Sequence, residues 1–198
     1  MNGIYRGVRR FLKDEGGITS VEFALIVALI AGWRPTKKAG ATALAVPLLS
    51  VSVLAWFYGN PFNGTVFLLF AAGLAAVGMR LPAARVEKAT AWAPVIGVLM
   101  VAFGWIYPHF LARSSWLGYL YQAPTGLIPC PTLSAVIGLA LLANGFSSRT
   151  WSLVLGVLGV FYSLFGVFRL GVTIDIVLLV GAVALLTLAR TLRTQPRR

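Results

Sequence analysis

The sequence predicts an all-α membrane protein, a polytopic bundle of about six transmembrane helices preceded by a short N-terminal apolar helix. Hydrophobic residues make up 59% of the 198 residues and charged residues 11%, whereas soluble domains average about 45–50% and about 25%. A chain of this length cannot bury so much apolar surface in one water-soluble core. The apolar residues also fall into runs close to the roughly 20 residues that cross a bilayer. A soluble enzyme, a disordered chain and a disulfide scaffold are therefore excluded.

Six apolar runs are predicted to form the transmembrane helices. In chain order they are residues 39–58, 65–79, 91–108, 127–143, 151–168 and 172–189. Turn-forming glycine, asparagine and proline separate the first two runs at 59–64, and a tight link at 169–171 separates the last two. The chain thus divides into a basic leader with a short apolar helix and linker (1–38), a six-span bundle (39–189) and a basic tail (190–198).

The positive charges predict how the bundle is oriented. If the six runs alternate, 15 of the 17 lysine and arginine residues fall on one side, and only Arg113 and Arg169 on the other. The positive-inside rule then places both termini in the cytoplasm of a bacterial inner membrane. Because these charges lie between apolar runs, we expect them to meet lipid headgroups and not nucleic acid.

The N-terminus carries a distinct motif. Residues 11–23 read FLKDEGGITSVEF and lead into an apolar stretch at 24–31. Residues 1–31 resemble the start of a Flp-type (class IVb) prepilin from tight-adherence pilus systems. The resemblance implies that a prepilin peptidase cuts between Gly17 and Ile18. It also implies that Glu22, the fifth mature residue, pairs with a neighbouring subunit's amino terminus during assembly. Phe23 departs from the tyrosine usual in these pilins.

The run at 18–33 is flanked by four basic residues before it and three after it. Both groups cannot be cytoplasmic if the run crosses the membrane, so we expect a half-inserted or surface-lying helix. A gene fusion or a misassigned start would also account for the motif. The alternative role of Glu22 is that of an interfacial carboxylate paired with Arg34, Lys37 or Lys38.

The segment before the fourth run is unusual because Pro129 and Pro131 bracket Cys130. The prolines predict an extended approach followed by a helix start. Non-helical backbone at membrane depth occurs only where protein buries it or a wet cavity meets it. We therefore predict a functional cavity or conduit involving Gln122, Pro129, Cys130, Pro131 and Asp175. Residues 39–189 look like an uncharacterised family of bacterial six-span membrane proteins, which implies no activity.

Asp175 is the only acidic residue in the six runs. A buried carboxylate there would mark an ion or proton path. Three structural roles are the alternatives: exposure at the outer interface, pairing with Arg169, or capping a helix with Thr173.

The fifth run has a row of small residues at steps of four and three, which places them on one face of a helix. They are Ser152, Gly156, Gly159, Ser163 and Gly166. Such a face is typical of close helix packing, and a solute path beside it is the second interpretation.

The sequence predicts no metal or cofactor site, because it has one cysteine, one histidine and three methionines. It also offers no nucleophile–base pair, phosphate loop or carboxylate pair, so an enzyme is not predicted. Three functions remain: a conduit for a small solute or ion, a non-catalytic subunit of a homo- or hetero-oligomeric membrane complex, and a component of pilus assembly.

Overall fold

The computed structural model describes residues 34–89, 92–107 and 125–192. These parts of the chain are helical and contain no strand beyond a single bridge between Thr36 and Arg85. Several predictions lie outside them: the apolar helix at 18–33, the processing residues Gly17, Ile18 and Glu22, the cavity residue Gln122, and the end of the basic tail.

Each of the six predicted runs corresponds to one apolar helix. The helices are α1 (Lys37–Phe57), α2 (Pro61–Met79), α3 (Ala93–Trp105), α4 (Pro129–Leu142), α5 (Arg149–Arg169) and α6 (Thr173–Thr191). Four of them, α1, α2, α5 and α6, are long and apolar enough to cross a membrane. The predicted helical membrane protein is therefore confirmed. The helices α3 and α4 have only 13 and 14 residues, so the count of six crossings stays a prediction.

Capping residues set where the helices begin. The Thr36 hydroxyl accepts a hydrogen bond from the Ala39 amide at 3.1 Å, and Asn60 Oδ1 accepts one from the Asn63 amide at 3.1 Å. Ser148 caps α5 in the same way. Each cap satisfies an amide that the first helical turn leaves free.

Helix α4 is the central element of the bundle. Residues 131–141 are all buried, so this helix is enclosed on every side. It packs against α1, α3, α5 and α6. Its closest approach is to α3, where a Cβ added at Gly97 would lie 2.8 Å from the Gly138 carbonyl oxygen. The lack of a side chain at both glycines therefore allows the two backbones to meet.

The turn from α4 to α5 has an unusual backbone. Asn144, Gly145, Phe146 and Ser147 all have φ between 51° and 56°, a left-handed conformation that costs free energy for every residue except glycine. The Phe146 side chain is 3% exposed, and its ring packs edge-on against Trp151 at 4.9 Å. Burial of this ring offsets part of the cost of the turn.

One end of the bundle is strongly basic, and we call it the basic end. Lys37 Nζ lies 2.7 Å from Glu87 Oε1, and the Ser147 hydroxyl donates to Glu87 Oε2 at 3.2 Å. These contacts tie the start of α1 and the turn before α5 to the chain that follows α2. The hydrogen bond from Lys37 holds the pKa of Glu87 below its ordinary value, helped by the Lys37 charge and by Ser147. Eight of the nine described basic residues lie at this end: Arg34, Lys37, Lys38, Arg80, Arg85, Lys88, Arg149 and Arg190.

Candidate functional site

Asp175 lies in the first turn of α6 and is 1% exposed. Its two carboxylate oxygens have different partners. The Tyr107 hydroxyl donates to Oδ1 at 2.7 Å, and the Cys130 thiol donates to Oδ2 at 3.1 Å. Tyr107 follows the end of α3 and Cys130 lies in the first turn of α4, so three elements meet at this carboxylate. The site is at the end of the bundle opposite the basic end.

Helix α5 forms the remaining wall of the site. The Ser163 hydroxyl donates to the Asp175 carbonyl oxygen at 2.8 Å. One turn later, a Cβ added at Gly166 would collide with Asp175 Oδ2. The helix ends here in a wide π-type turn, Phe165–Arg169, and the Val172 amide donates back to the Gly166 carbonyl at 2.9 Å. Only a residue without a side chain leaves room for the carboxylate beside α5.

The two prolines place Cys130 at the site. Pro129 and Pro131 both lie in the first turn of α4, where a missing backbone N–H has no helical partner to lose. The Thr132 hydroxyl fixes the approach to this turn, because it accepts from the Gly126 amide at 2.7 Å and donates to the Ile128 carbonyl at 2.6 Å. The two prolines thus flank Cys130, whose thiol contacts Asp175.

None of the three structural roles considered for Asp175 is observed. Its burial excludes exposure at the interface. Within the part of the chain that the structure describes, the only ion pair is Lys37–Glu87, so Asp175 does not pair with Arg169. Its side chain makes no capping hydrogen bond to α6. The carboxylate therefore has two neutral donors and no cationic partner among the described residues.

Tyr107 and a second tyrosine were not predicted from the sequence. The Tyr162 hydroxyl, on α5, donates to Asn63 Oδ1, on α2, at 2.9 Å, and the Tyr162 ring packs against Phe67 at 5.0 Å. A tyrosine near the end of an apolar run, as Tyr107 is, indicates an interfacial anchor. The one sequence feature that distinguishes Tyr107 is its position directly before Pro108, at the end of the third run.

The row of small residues on α5 packs against both α4 and α6. A Cβ added at Gly156 would meet the Leu186 side chain of α6 at 2.7 Å, and one added at Gly159 would meet Ile137 of α4 at 2.6 Å and Ala182 of α6 at 2.9 Å. Ser152 is fully buried and donates to the Gly145 carbonyl at 3.3 Å. Towards the basic end the row therefore packs against α4, α6 and the turn before α5, while Ser163 and Gly166 border the carboxylate.

Comparison with protein-family models, with curated proteins and with solved structures gave no match. The chemistry of the site is therefore inferred from its geometry. Among the described residues no three His, Cys, Asp or Glu side chains converge in a way that could hold a metal ion. What the arrangement offers is a buried carboxylate that accepts hydrogen bonds from two neutral donors.

Proposed function

We propose that this protein carries a small cation across the bacterial inner membrane, with Asp175 as the binding group. The observation that supports this function is the burial of an ionisable carboxylate within a bundle of apolar helices, without a basic partner among the described residues. A carboxylate in such a place is costly unless function requires it, and intramembrane acids typically mark ion paths.

The proposal includes six crossings with both termini in the cytoplasm. Helices of 13 and 14 residues extend only about 20 Å, less than the roughly 30 Å of hydrocarbon. Helix α4 is enclosed by protein, so its length need not match the lipid. The positive-inside rule favours a cytoplasmic basic end, which puts Asp175 near the outer face.

Transport by the purified full-length protein in lipid vesicles tests the function. We expect a cation gradient to drive uptake by the wild-type protein, and Asp175→Asn to lower the rate to that of protein-free vesicles. Glu87→Gln is the matched control, because it removes the other described carboxylate, which is 62% exposed at the basic end. Unchanged uptake by Asp175→Asn would refute a role for this residue in transport.

The exposed face of α2 supports a second candidate, a non-catalytic subunit of a membrane complex. Only 28% of the most apolar window of α2 is buried, the lowest value among the four long helices. The exposed face carries Thr65, Leu69, Ala72 and Ala76, and nothing lies within 4 Å of a Cβ added at Gly73. Apart from Leu69 these residues are small, and small residues on a helix face let another helix approach closely. Purification as a lone monomer in mild detergent would argue against this function.

The prepilin-like N-terminus supports a third candidate, a component of pilus assembly handled by a prepilin peptidase. The support consists of the motif in residues 1–31, with Gly17, Ile18 and Glu22 at the implied positions. Deletion of residues 1–31 would be expected to abolish pilus formation under this function. Normal pili and normal localisation after the deletion would refute a role in pilus assembly.

A further inference from the structure

The partners of Asp175 indicate which cation it binds, an inference that rests on the transport function proposed above. Tyr107 contributes a hydroxyl from the chain after α3, Cys130 a thiol from α4, and Ser163 a hydroxyl from α5. Gly166 of α5 contributes no side chain. Within the described residues, no lysine, arginine or histidine forms an ion pair with the carboxylate.

Among the described residues, a metal cation would find few ligands at this site. Hard cations such as Mg²⁺ and Ca²⁺ need six or more oxygen ligands. Among the described residues, Asp175 is the only carboxylate at the site, and no three His, Cys, Asp or Glu side chains converge there. A proton needs a single lone pair, which either carboxylate oxygen supplies.

Both side-chain partners of the carboxylate can reverse their hydrogen bonds. A hydroxyl and a thiol each donate one hydrogen and also accept one. When Asp175 is ionised, Tyr107 and Cys130 donate to it, as observed. When a proton binds Oδ2, the new O–H donates to the Cys130 sulfur, and when it binds Oδ1, the O–H donates to the Tyr107 oxygen. Both protonation states therefore keep the buried carboxyl group hydrogen-bonded, which a lysine or arginine partner could not do because neither accepts.

We propose that the cation bound by Asp175 is a proton, and that Tyr107 and Cys130 are positioning residues that serve the carboxylate in both of its protonation states. The step is the reversible addition of one proton to one carboxylate oxygen, with no other bond made or broken.

Ion-resolved flux measurements test the proposal. Full-length protein is reconstituted in vesicles containing a pH-sensitive dye, and uptake of labelled Na⁺ and K⁺ is followed in parallel. We expect an imposed potential to drive proton movement, Asp175→Asn to reduce it to the level of protein-free vesicles, and neither metal ion to move. Na⁺ or K⁺ uptake that is lost in Asp175→Asn, without proton movement, would overturn the proton assignment and leave the proposed function intact. Equal flux of every ion through the wild-type protein and through Asp175→Asn would overturn both the proton assignment and the proposed transport function.

Conservative variants separate positioning from simple packing. Cys130→Ala removes both donor and acceptor, and we expect it to lower proton flux about tenfold or more, because a hydrogen bond to a charged group is stronger than one between neutral groups. Cys130→Ser keeps both capacities and should retain most of the flux. Equal flux in the two variants would remove Cys130 from the proposal. Tyr107→Phe tests the other oxygen in the same way.

Chemical labelling keeps the proposal testable if Asp175→Asn does not fold. An apolar carbodiimide adds to a protonated carboxyl group, with no atom lost, and yields a stable acylurea. We expect mass spectrometry of the folded wild-type protein to locate this adduct on Asp175, in increasing yield as the pH falls. Absence of the adduct at every pH at which the protein stays folded would overturn the proposal.

Discussion

Gly166 limits the size of any side chain beside the carboxylate. An added Cβ would occupy the position of Asp175 Oδ2, and the neighbouring backbone of α5 and α6 is held by the Ser163 hydrogen bond. A larger residue at this position would therefore clash with the carboxylate where it now lies.

Gly166→Ala should displace the carboxylate and abolish transport while destabilising the fold by about 1–3 kcal/mol, the usual cost of overpacking. Thermal unfolding in detergent and vesicle flux are the measurements. Gly73→Ala is the matched control, because nothing lies within 4 Å of its added Cβ and alanine is favoured over glycine in a helix. Wild-type flux in Gly166→Ala would show that the site tolerates a side chain there.

The residues of the site differ in how far the sequence could predict them. Asp175 and Cys130 stand out because acids are rare in apolar runs and prolines flank the cysteine. Their mutual contact could not be predicted, because 45 residues separate them and helix packing decides which faces meet. Tyr107 could not be distinguished from an interfacial tyrosine, since its partner is set by the tertiary fold alone.

At the scale of the elements, the six helices could be predicted but their places in the bundle could not. A run of apolar residues is equally compatible with lipid and with protein around it, so hydropathy does not separate α2 from α4. The structure makes α4 the enclosed helix, buried at residues 131–141, and leaves α2 mostly outside. The tight crossing at Gly97 and Gly138 is a signal for this arrangement, although small residues occur in several other runs as well.

The contact between Lys37 and Glu87 predicts a pH dependence at the element scale, since it ties α1 to the chain after α2. The folded-state pKa of Glu87 is lowered from its ordinary value of 4.5, so the pair stabilises the folded protein above that pH. This contribution is lost as the pH falls through the folded-state pKa. At neutral pH, Glu87→Gln should lower the free energy of unfolding by less than about 1 kcal/mol, because the pair is partly exposed.

Thermal unfolding at several pH values measures this difference, which should vanish as the pH is lowered. Lys88→Gln is a suitable control, since it removes a charge at the same end without touching the pair. A difference between wild type and Glu87→Gln that stays constant with pH would contradict the assignment.

At the scale of the whole molecule, the separation of charge predicts the topology. Lys88 is exposed at the basic end, and Leu170, 61% exposed, lies at the opposite end. In a Cys130→Ser background, an impermeant maleimide applied to intact spheroplasts should label Leu170→Cys. Lys88→Cys should react only after the membrane is opened. The reverse pattern would invert the proposed orientation.

Intact mass spectrometry of the protein from its native membrane tests the prepilin-like N-terminus. The resemblance predicts loss of residues 1–17 and a mature chain that begins at Ile18. A full-length mass would show that the prepilin-like motif is not processed. The transport function would then be the stronger proposal.

The enclosed position of α4 also has a consequence for biogenesis. Ribosomes complete α4 before α5 and α6, the two later helices that cover part of its surface. Until they emerge, a helix of 14 residues carrying Thr132 and Ser134 must be sheltered by α1, α3 or the insertion machinery. We therefore expect the nascent protein to be most vulnerable to quality-control proteases between synthesis of its fourth helix and arrival of its last.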